Sequence, residues 1–107
     1  MTALKETEAL ISHAIREYLE YKNVFFWRNN VGAGFFKNKN GGERFVRFSQ
    51  KGSPDFFCLS NGMLFGIEIK TAKGEQSEDQ EKYQKAFEKA GGVYILARCV
   101  DDVSKYI

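Results

Sequence analysis

The segment from Asp55 to Lys70 reads DFFCLSNGMLFGIEIK, and it decides the centre of the fold. Two β-prone runs, Asp55 to Ser60 and Met63 to Lys70, flank the dipeptide Asn61-Gly62. Asn-Gly between such runs predicts a two-residue hairpin turn, because both turn positions require a positive φ. The sequence therefore predicts two antiparallel strands joined by this turn.

The hairpin register predicts a pair of acidic side chains. Continued without a bulge, it places Asp55 directly opposite Glu68, at an open pair where Cβ atoms lie about 4.5–5.5 Å apart. Lys70 follows Glu68 by two positions, so it lies on the same face of its strand. Two adjacent carboxylates repel each other, and a bound divalent cation would remove that repulsion; oxygen ligands favour Mg²⁺ or Mn²⁺. The alternative is a ladder of surface ion pairs.

The first helix is predicted from about Thr7 to Tyr21, because apolar residues recur there every three or four positions. On a helical wheel Glu8 falls inside this apolar stripe and would face the core. An acid in that place has two interpretations. It either reaches the acidic site on the sheet, or it stabilises the helix dipole at the first turn and faces solvent.

A second helix is predicted from about Glu78 to Ala90. Ser77 can cap its start, and Gly91-Gly92 can end it. Gln80 is either the partner of Ser77 in a capping box or an amide that faces the sheet, and both roles are compatible.

The remaining predicted elements are strands at Val24–Arg28, Val31–Lys37, Arg44–Ser49 and Val93–Arg98, and a short helix at Asp101–Ile107. Strand, helix and strand between the hairpin and Arg98 form a βαβ unit, which requires a parallel strand pair. We find no repeat or linker, so the 107 residues are predicted to form a single domain, residues 1–107. The fold class is α/β, with a mixed sheet of four to six strands flanked by helices.

Basic residues outnumber acids between Lys22 and Lys51, where Glu43 is the only acid. This excess is typical of a surface that binds a polyanion, although it can also serve solubility. The basic residues expected to contact such a polyanion are Arg28, Lys37, Lys39, Arg44, Arg47 and Lys51.

Several features bear on the compartment. No run approaches the roughly 20 apolar residues of a membrane span, and the first residues are polar rather than typical of a signal peptide. Cys58 and Cys99 lie in apolar runs, which predicts buried, reduced thiols. We therefore expect a cytoplasmic protein without membrane contact. With His13 as the only histidine, a histidine-dependent RNA-processing endonuclease is disfavoured.

Pro54-Asp55, followed further on by Glu68-Ile69-Lys70, resembles the signature of the PD-(D/E)xK nuclease superfamily. Together with Gly52-Ser53 before it and Ser77-x-x-Gln80 after it, the pattern resembles the VRR-NUC family, virus-type replication-repair nucleases often found alone in phages. The resemblance implies a restriction-endonuclease-like fold, with a sheet core and helices on both faces. It also implies a DNA endonuclease that depends on Mg²⁺ or Mn²⁺.

The resemblance further assigns roles to individual residues. The implied catalytic set is Glu8, Asp55, Glu68, Lys70 and Gln80. Asp55, Glu68 and the backbone carbonyl of Ile69 would ligate the metal ion, and Glu8 would reach it directly or through water. Lys70 would position or polarise the attacking water, and Gln80 would order the site.

The resemblance makes DNA the polyanion, so the basic residues named above would contact its backbone without reading bases. Phe35 and Phe36, near a glycine-rich turn, either insert into a DNA junction or belong to the core.

Family members that consist of this domain alone resemble Holliday-junction resolvases and act as homodimers. The resemblance thus implies branched DNA as the substrate, a homodimer, and the cytoplasm of a bacterium or a phage-infected host cell as the location. Two alternatives remain: a nuclease directed to flaps or nicks, and a non-catalytic nucleic-acid-binding module on the same fold.

Overall fold

The computed structural model describes residues 7–30, 33–47 and 50–107. In chain order the elements are α1 (Glu8–Tyr21), β1 (Phe25–Arg28), β2 (Ala33–Lys37), β3 (Glu43–Arg47), β4 (Phe56–Ser60), β5 (Met63–Ile69), α2 (Glu78–Lys89), β6 (Val93–Ala97) and α3 (Val100–Ser104). The order of helices and strands is as predicted. The predicted start of β2 at Val31 and the predicted end of β3 at Ser49 lie outside the described residues, and α3 ends earlier than expected.

The β4–β5 hairpin has the predicted register. Ser60 pairs with Met63 across the turn, and the ladder continues as far as Phe56 opposite Ile67. Asn61 and Gly62 adopt positive φ angles of 51° and 77°. The turn chemistry of Asn-Gly therefore sets the alignment of both strands.

The main sheet has the strand order β1-β4-β5-β6. β1 and β4 are antiparallel, as are β4 and β5, whereas β5 and β6 are parallel and are joined through α2. The fold is thus mixed α/β with a mixed sheet flanked by helices, as the βαβ pattern predicted. β2 and β3 do not join this sheet. They form a separate two-stranded antiparallel sheet, called the ribbon below.

Helices cover both faces of the main sheet. On one face, α1 buries Ile11, Ile15 and Leu19 in a core that also contains Phe56 and Ile67 and is completed from α3. On the other face, α2 rests on the sheet through half-buried aromatic rings. Phe87 of α2 contacts Phe57, with ring centroids 6.0 Å apart. Gly66 leaves room for this packing, because a Cβ there would lie 3.0 Å from Pro54 Cγ and 3.4 Å from the Phe87 ring.

The ends of α2 follow the predicted capping chemistry. Gln80 N donates to Ser77 Oγ at 3.2 Å, and Ser77 N donates to Gln80 Oε1 at 2.9 Å. At the other end Gly91 has a φ of 103°, and Gly92 N donates to Phe87 O at 3.0 Å. The helix stops one residue before the predicted Ala90, which is the C-cap. Reciprocal bonds at the start and a glycine at the end define α2.

The prediction of a buried thiol is confirmed for Cys58 and wrong for Cys99. Cys58 is buried in β4, and burial raises its pKa to about 11. Cys99 is exposed instead, because β6 ends at Ala97 and Cys99 is the N-cap of α3.

Across the described ranges, none of the helices combines the length and apolar character that crossing a membrane requires.

Candidate active site at the paired carboxylates

Asp55 and Glu68 are brought together at the open end of the β4–β5 hairpin. The backbone ladder stops one pair short of the prediction, at Phe56 and Ile67. Beyond that pair, the carboxylate of Asp55 accepts the next hydrogen bond in place of a backbone carbonyl. Ile69 N donates to Asp55 Oδ2 at 2.8 Å. The two acids are close enough that the negative charge of Asp55 raises the pKa of Glu68. The predicted meeting of the two acids is confirmed, through side chains rather than through a further backbone pair.

Glu68 is a buried acid, with only 4% of its surface exposed. The pKa of its carboxyl is raised to about 8, chiefly by burial and then by the negative charge of Asp55, whereas the ammonium of Lys70 opposes the shift. The oxygen Glu68 Oε2 is buried and finds no donor among the described residues. Two carboxylates are both acceptors, so their contact is favourable only with a proton or a cation between them.

Lys70 follows β5 and places its ammonium beside the acids. Lys70 Nζ lies 3.9 Å from Glu68 Oε1, and its side chain is 14% exposed. This separation is that of an ion pair rather than a hydrogen bond. The prediction that Glu68 and Lys70 share one side of the strand end is confirmed, and a surface ladder of ion pairs is excluded by the burial of Glu68.

Gln80 fulfils both of its predicted roles at once. Its oxygen closes the capping box with Ser77, and its Nε2 donates to Glu68 Oε1 at 3.1 Å. The cap fixes the start of α2, and the amide then holds one oxygen of Glu68. The other oxygen, Oε2, has no hydrogen-bond partner among the described residues.

Asn29 holds the loop that carries Asp55, a role that the sequence analysis missed. Its side-chain Nδ2 donates to Ser53 Oγ and to Pro54 O, each at 2.8 Å. Its backbone N donates to Asp55 O, also at 2.8 Å. The signal in the sequence was an Asn-Asn pair after a strand, which indicates a turn but does not reveal that one amide bridges to a distant loop.

Gly52 lets the same loop lie directly on the first turn of α2. Its φ is +80°, and a Cβ there would lie 2.3 Å from the carbonyl oxygen of Asp79. Beside it, Lys51 Nζ lies 3.2 Å from Asp79 Oδ2. Lys51, predicted to contact DNA, is therefore engaged in an ion pair. The close approach of Gly52 to Asp79 holds the loop before Asp55 against the start of α2, the helix that carries Gln80.

The loop between Lys70 and α2 is also held by residues that the sequence did not reveal. Arg98 Nη1 donates to the carbonyl oxygens of Thr71 and Gly74, at 2.7 Å for the latter. Gln76 Nε2 donates to the hydroxyl of Tyr94 at 3.2 Å. Tyr94 on β6 and Arg98 just after it thus anchor the segment that follows Lys70.

Glu8 does not face the core, contrary to its position on the helical wheel. It is the first residue of α1, is exposed, and lines a cleft of about 460 Å³ beside Asp55 and Ile69. The buried residues of α1 begin only at Ile11. Glu8 still acts on the acids electrostatically, because its charge raises the pKa of Glu68. Within the described residues, no three or more His, Cys, Asp or Glu side chains form a potential metal-binding group.

The residues predicted to contact DNA lie on several different elements. Arg28 lines the cleft beside Asp55. Lys37, Lys39 and Arg44 are exposed on the ribbon and its turn. The side chain of Arg47 lies outside the described residues.

Phe35 and Phe36 lie on the ribbon. Phe35 is 72% exposed and packs edge-on against Phe45, whereas Phe36 is 44% exposed. Placement in the core is therefore wrong for both residues.

No family model matches the chain, and no curated protein matches it either.

Proposed function

We propose that this protein is a metal-dependent DNA endonuclease that hydrolyses phosphodiester bonds, of the VRR-NUC type and with a restriction-endonuclease-like fold. The observation that carries the proposal is the buried Glu68 beside Asp55, with its Oε2 lacking a donor among the described residues. A surface acid would not need such a neighbour, and a purely structural pair would place a donor on that oxygen.

The donor set at this point fits Mg²⁺ or Mn²⁺. Asp55 and Glu68 supply carboxylate oxygens, which hard divalent cations prefer. We assign the backbone carbonyl of Ile69 as a third ligand and Glu8 as a residue that reaches the ion directly or through water. A bound cation would neutralise the scissile phosphate and lower the pKa of a bound water.

The protein's own side chains would supply the remaining chemistry. The ammonium of Lys70, 3.9 Å from Glu68, would stabilise the negative charge that develops on the phosphate and orient the attacking water. Removing one such preorganised group typically lowers the rate by about 10²–10³-fold. Gln80 would keep Glu68 in place through its bond to Oε1, which makes it a positioning residue.

For the substrate we propose branched DNA such as a Holliday junction, cut by a homodimer. A symmetric junction offers two equivalent strands, and two copies of one domain related by a two-fold axis would present a site to each. The exposed lysines and arginine of the ribbon would contact the DNA backbone without reading bases. A flap- or nick-directed nuclease and a non-catalytic binding module remain the alternatives.

The test is a cleavage panel with purified protein on four-way junction, flap, nicked and linear duplex DNA. Each substrate is incubated with MgCl₂, MnCl₂ or EDTA. We expect cleavage of the junction that requires a divalent cation and that is lost in Asp55→Asn.

Lys85→Ala is the matched control, because Lys85 is an exposed lysine on α2. Cleavage that persists in EDTA, or that survives Asp55→Asn, would overturn the proposal. Binding of the junction without cleavage under any metal condition would favour the non-catalytic module.

A further inference from the structure

The cleft beside Asp55 contains a second group of polar side chains that the proposed catalytic set does not use. It lies between the first half of α1 and the end of β1, and its volume is about 460 Å³. Ser12 and Arg16 line it from α1, and Arg28 lines it from β1. Ser12 and Arg16 are one helical turn apart, so they project from the same side of α1.

The two arginines are free to bind an anion. Both are exposed, and neither forms an ion pair with any residue in the described ranges. His13, which also lines the cleft, lies 3.0 Å from Glu17 and is engaged there. A guanidinium binds a phosphate through two parallel hydrogen bonds, and a serine hydroxyl adds a further donor.

The acids of the cleft limit what can bind there. Glu8 and Asp55 line the same space, so their charges offset those of the two arginines. Asp55, however, accepts a hydrogen bond from Ile69 N at 2.8 Å, so one oxygen of its carboxylate is engaged with β5. Arg16 and Arg28 remain as the donors available to a ligand within the cleft.

We propose that this cleft binds the DNA backbone phosphate next to the one that is cleaved, held by Arg16 and Arg28 with help from Ser12. The proposal rests on the proposed nuclease function, since it places the scissile phosphate at Asp55 and Glu68. Asp55 and Arg28 line the same cleft, so a strand whose scissile phosphate lies at Asp55 would bring its neighbouring phosphate within reach of Arg28. Arg16 was not among the residues that the sequence analysis assigned to DNA.

The test is equilibrium binding of a fluorescein-labelled four-way DNA junction, measured by anisotropy in EDTA over a range of NaCl concentrations. We expect Arg16→Ala and Arg28→Ala each to weaken binding about tenfold, as loss of a charged hydrogen bond implies. Each should also reduce the slope of log K against log salt by about one, since one phosphate contact is lost. Arg16→Lys should keep the slope while still weakening binding, because lysine retains the charge but not the paired bonds.

Two control variants should change binding in the opposite direction or not at all. Glu8→Gln removes an acid from the same cleft and should strengthen binding, whereas Lys85→Ala on α2 should bind as the wild type does. Thermal melts verify that each variant is folded. An affinity and salt slope of Arg16→Ala equal to those of Lys85→Ala would overturn the proposal.

Cleavage assays separate this proposal from the nuclease proposal. Metal-dependent cleavage with an unchanged KM in Arg16→Ala would leave the nuclease intact and refute the phosphate cleft. The expected binding losses without cleavage under any metal condition would support a phosphate cleft on a non-catalytic module. Binding losses together with a raised KM support both proposals.

Discussion

The molecule contains two antiparallel hairpins that have the same kind of strand pairing but differ in burial. The β4–β5 hairpin is covered by helices on both faces and carries Asp55 and Glu68 at its open end. The ribbon has exposed aromatic rings and exposed basic side chains. The comparison teaches that burial rather than strand pairing gives a charged side chain unusual chemistry.

The largest expected effect concerns the two hairpin acids Glu68 and Glu43. The pKa of Glu68 is raised from 4.5 to about 8 in the folded protein. Between these values the folded protein keeps a proton that the unfolded chain releases, so the free energy of unfolding falls as pH rises from 4.5 to 8 and then levels off. At about 1.4 kcal/mol per unit of pKa, the loss approaches roughly 5 kcal/mol.

Thermal melts in EDTA between pH 4.5 and 9 measure this dependence. Glu68→Gln should remove most of it, whereas Glu43→Gln on the exposed ribbon should leave the wild-type profile. A wild type whose stability does not fall over this range would show that Glu68 is not held protonated by its surroundings.

The second effect compares two phenylalanines. Phe56 is 1% exposed in the core, and Phe35 is 72% exposed on the ribbon. Phe56→Ala should lower the free energy of unfolding by about 3–5 kcal/mol, because it removes buried area and leaves a cavity. Phe35→Ala should change it by less than about 1 kcal/mol. Urea unfolding measures both free energies. A similar loss of stability in the two variants would show that Phe35 is not exposed on the ribbon.

The third effect compares two lysines. Lys70→Ala should lower kcat on the junction by about 10²–10³-fold, since it removes the ammonium beside Glu68. Lys37→Ala, on the exposed ribbon, should act mainly on KM and reduce the salt slope of binding by about one. Steady-state kinetics separate the two. An equal loss of kcat in both variants would contradict a special role for Lys70.

The smallest effect compares two glycines with similar backbone angles. Gly52 has a φ of +80° and no room for a Cβ against Asp79, whereas Gly41 in the ribbon turn has a φ of +88° and open space. Both alanine variants strain the backbone by about 1–2 kcal/mol, and Gly52→Ala adds an overpacking penalty of about 1–3 kcal/mol. Gly52→Ala should also lower activity, because the loop bearing Asp55 shifts relative to α2. Equal stability losses would show that the contact between this loop and α2 is loose.

The sequence predicted most of the fold because its signals are local. Asn61-Gly62 set one register, and Ser77 with Gln80 set one helix start; each needs only neighbouring residues. The proximity of Asp55 and Glu68 could be predicted because a hairpin register extends the effect of a local turn to residues further along both strands.

The sequence could not predict contacts that join distant segments. The bridge from Asn29 to the loop before Asp55 and the anchoring of the Thr71–Gly74 segment by Arg98 depend on tertiary placement. The sequence left two positions open for Glu8, and the structure shows the exposed one, because a helical wheel gives the direction of a side chain but not where the sheet beneath it ends. Nor could the sequence show that β2 and β3 stay apart from the main sheet, since their apolar residues resemble those of core strands.

The most direct test of the proposed site is a thermal melt with increasing MnCl₂ for the wild type, Asp55→Asn, Glu68→Gln and the ribbon control Glu43→Gln. A cation that binds only the folded protein stabilises it by about 2.7 kcal/mol at a concentration one hundred times its Kd. We predict a rise in Tm of the wild type and of Glu43→Gln that is absent in the other two. The same rise in all four proteins, or no rise in the wild type, would contradict a divalent-cation site between Asp55 and Glu68.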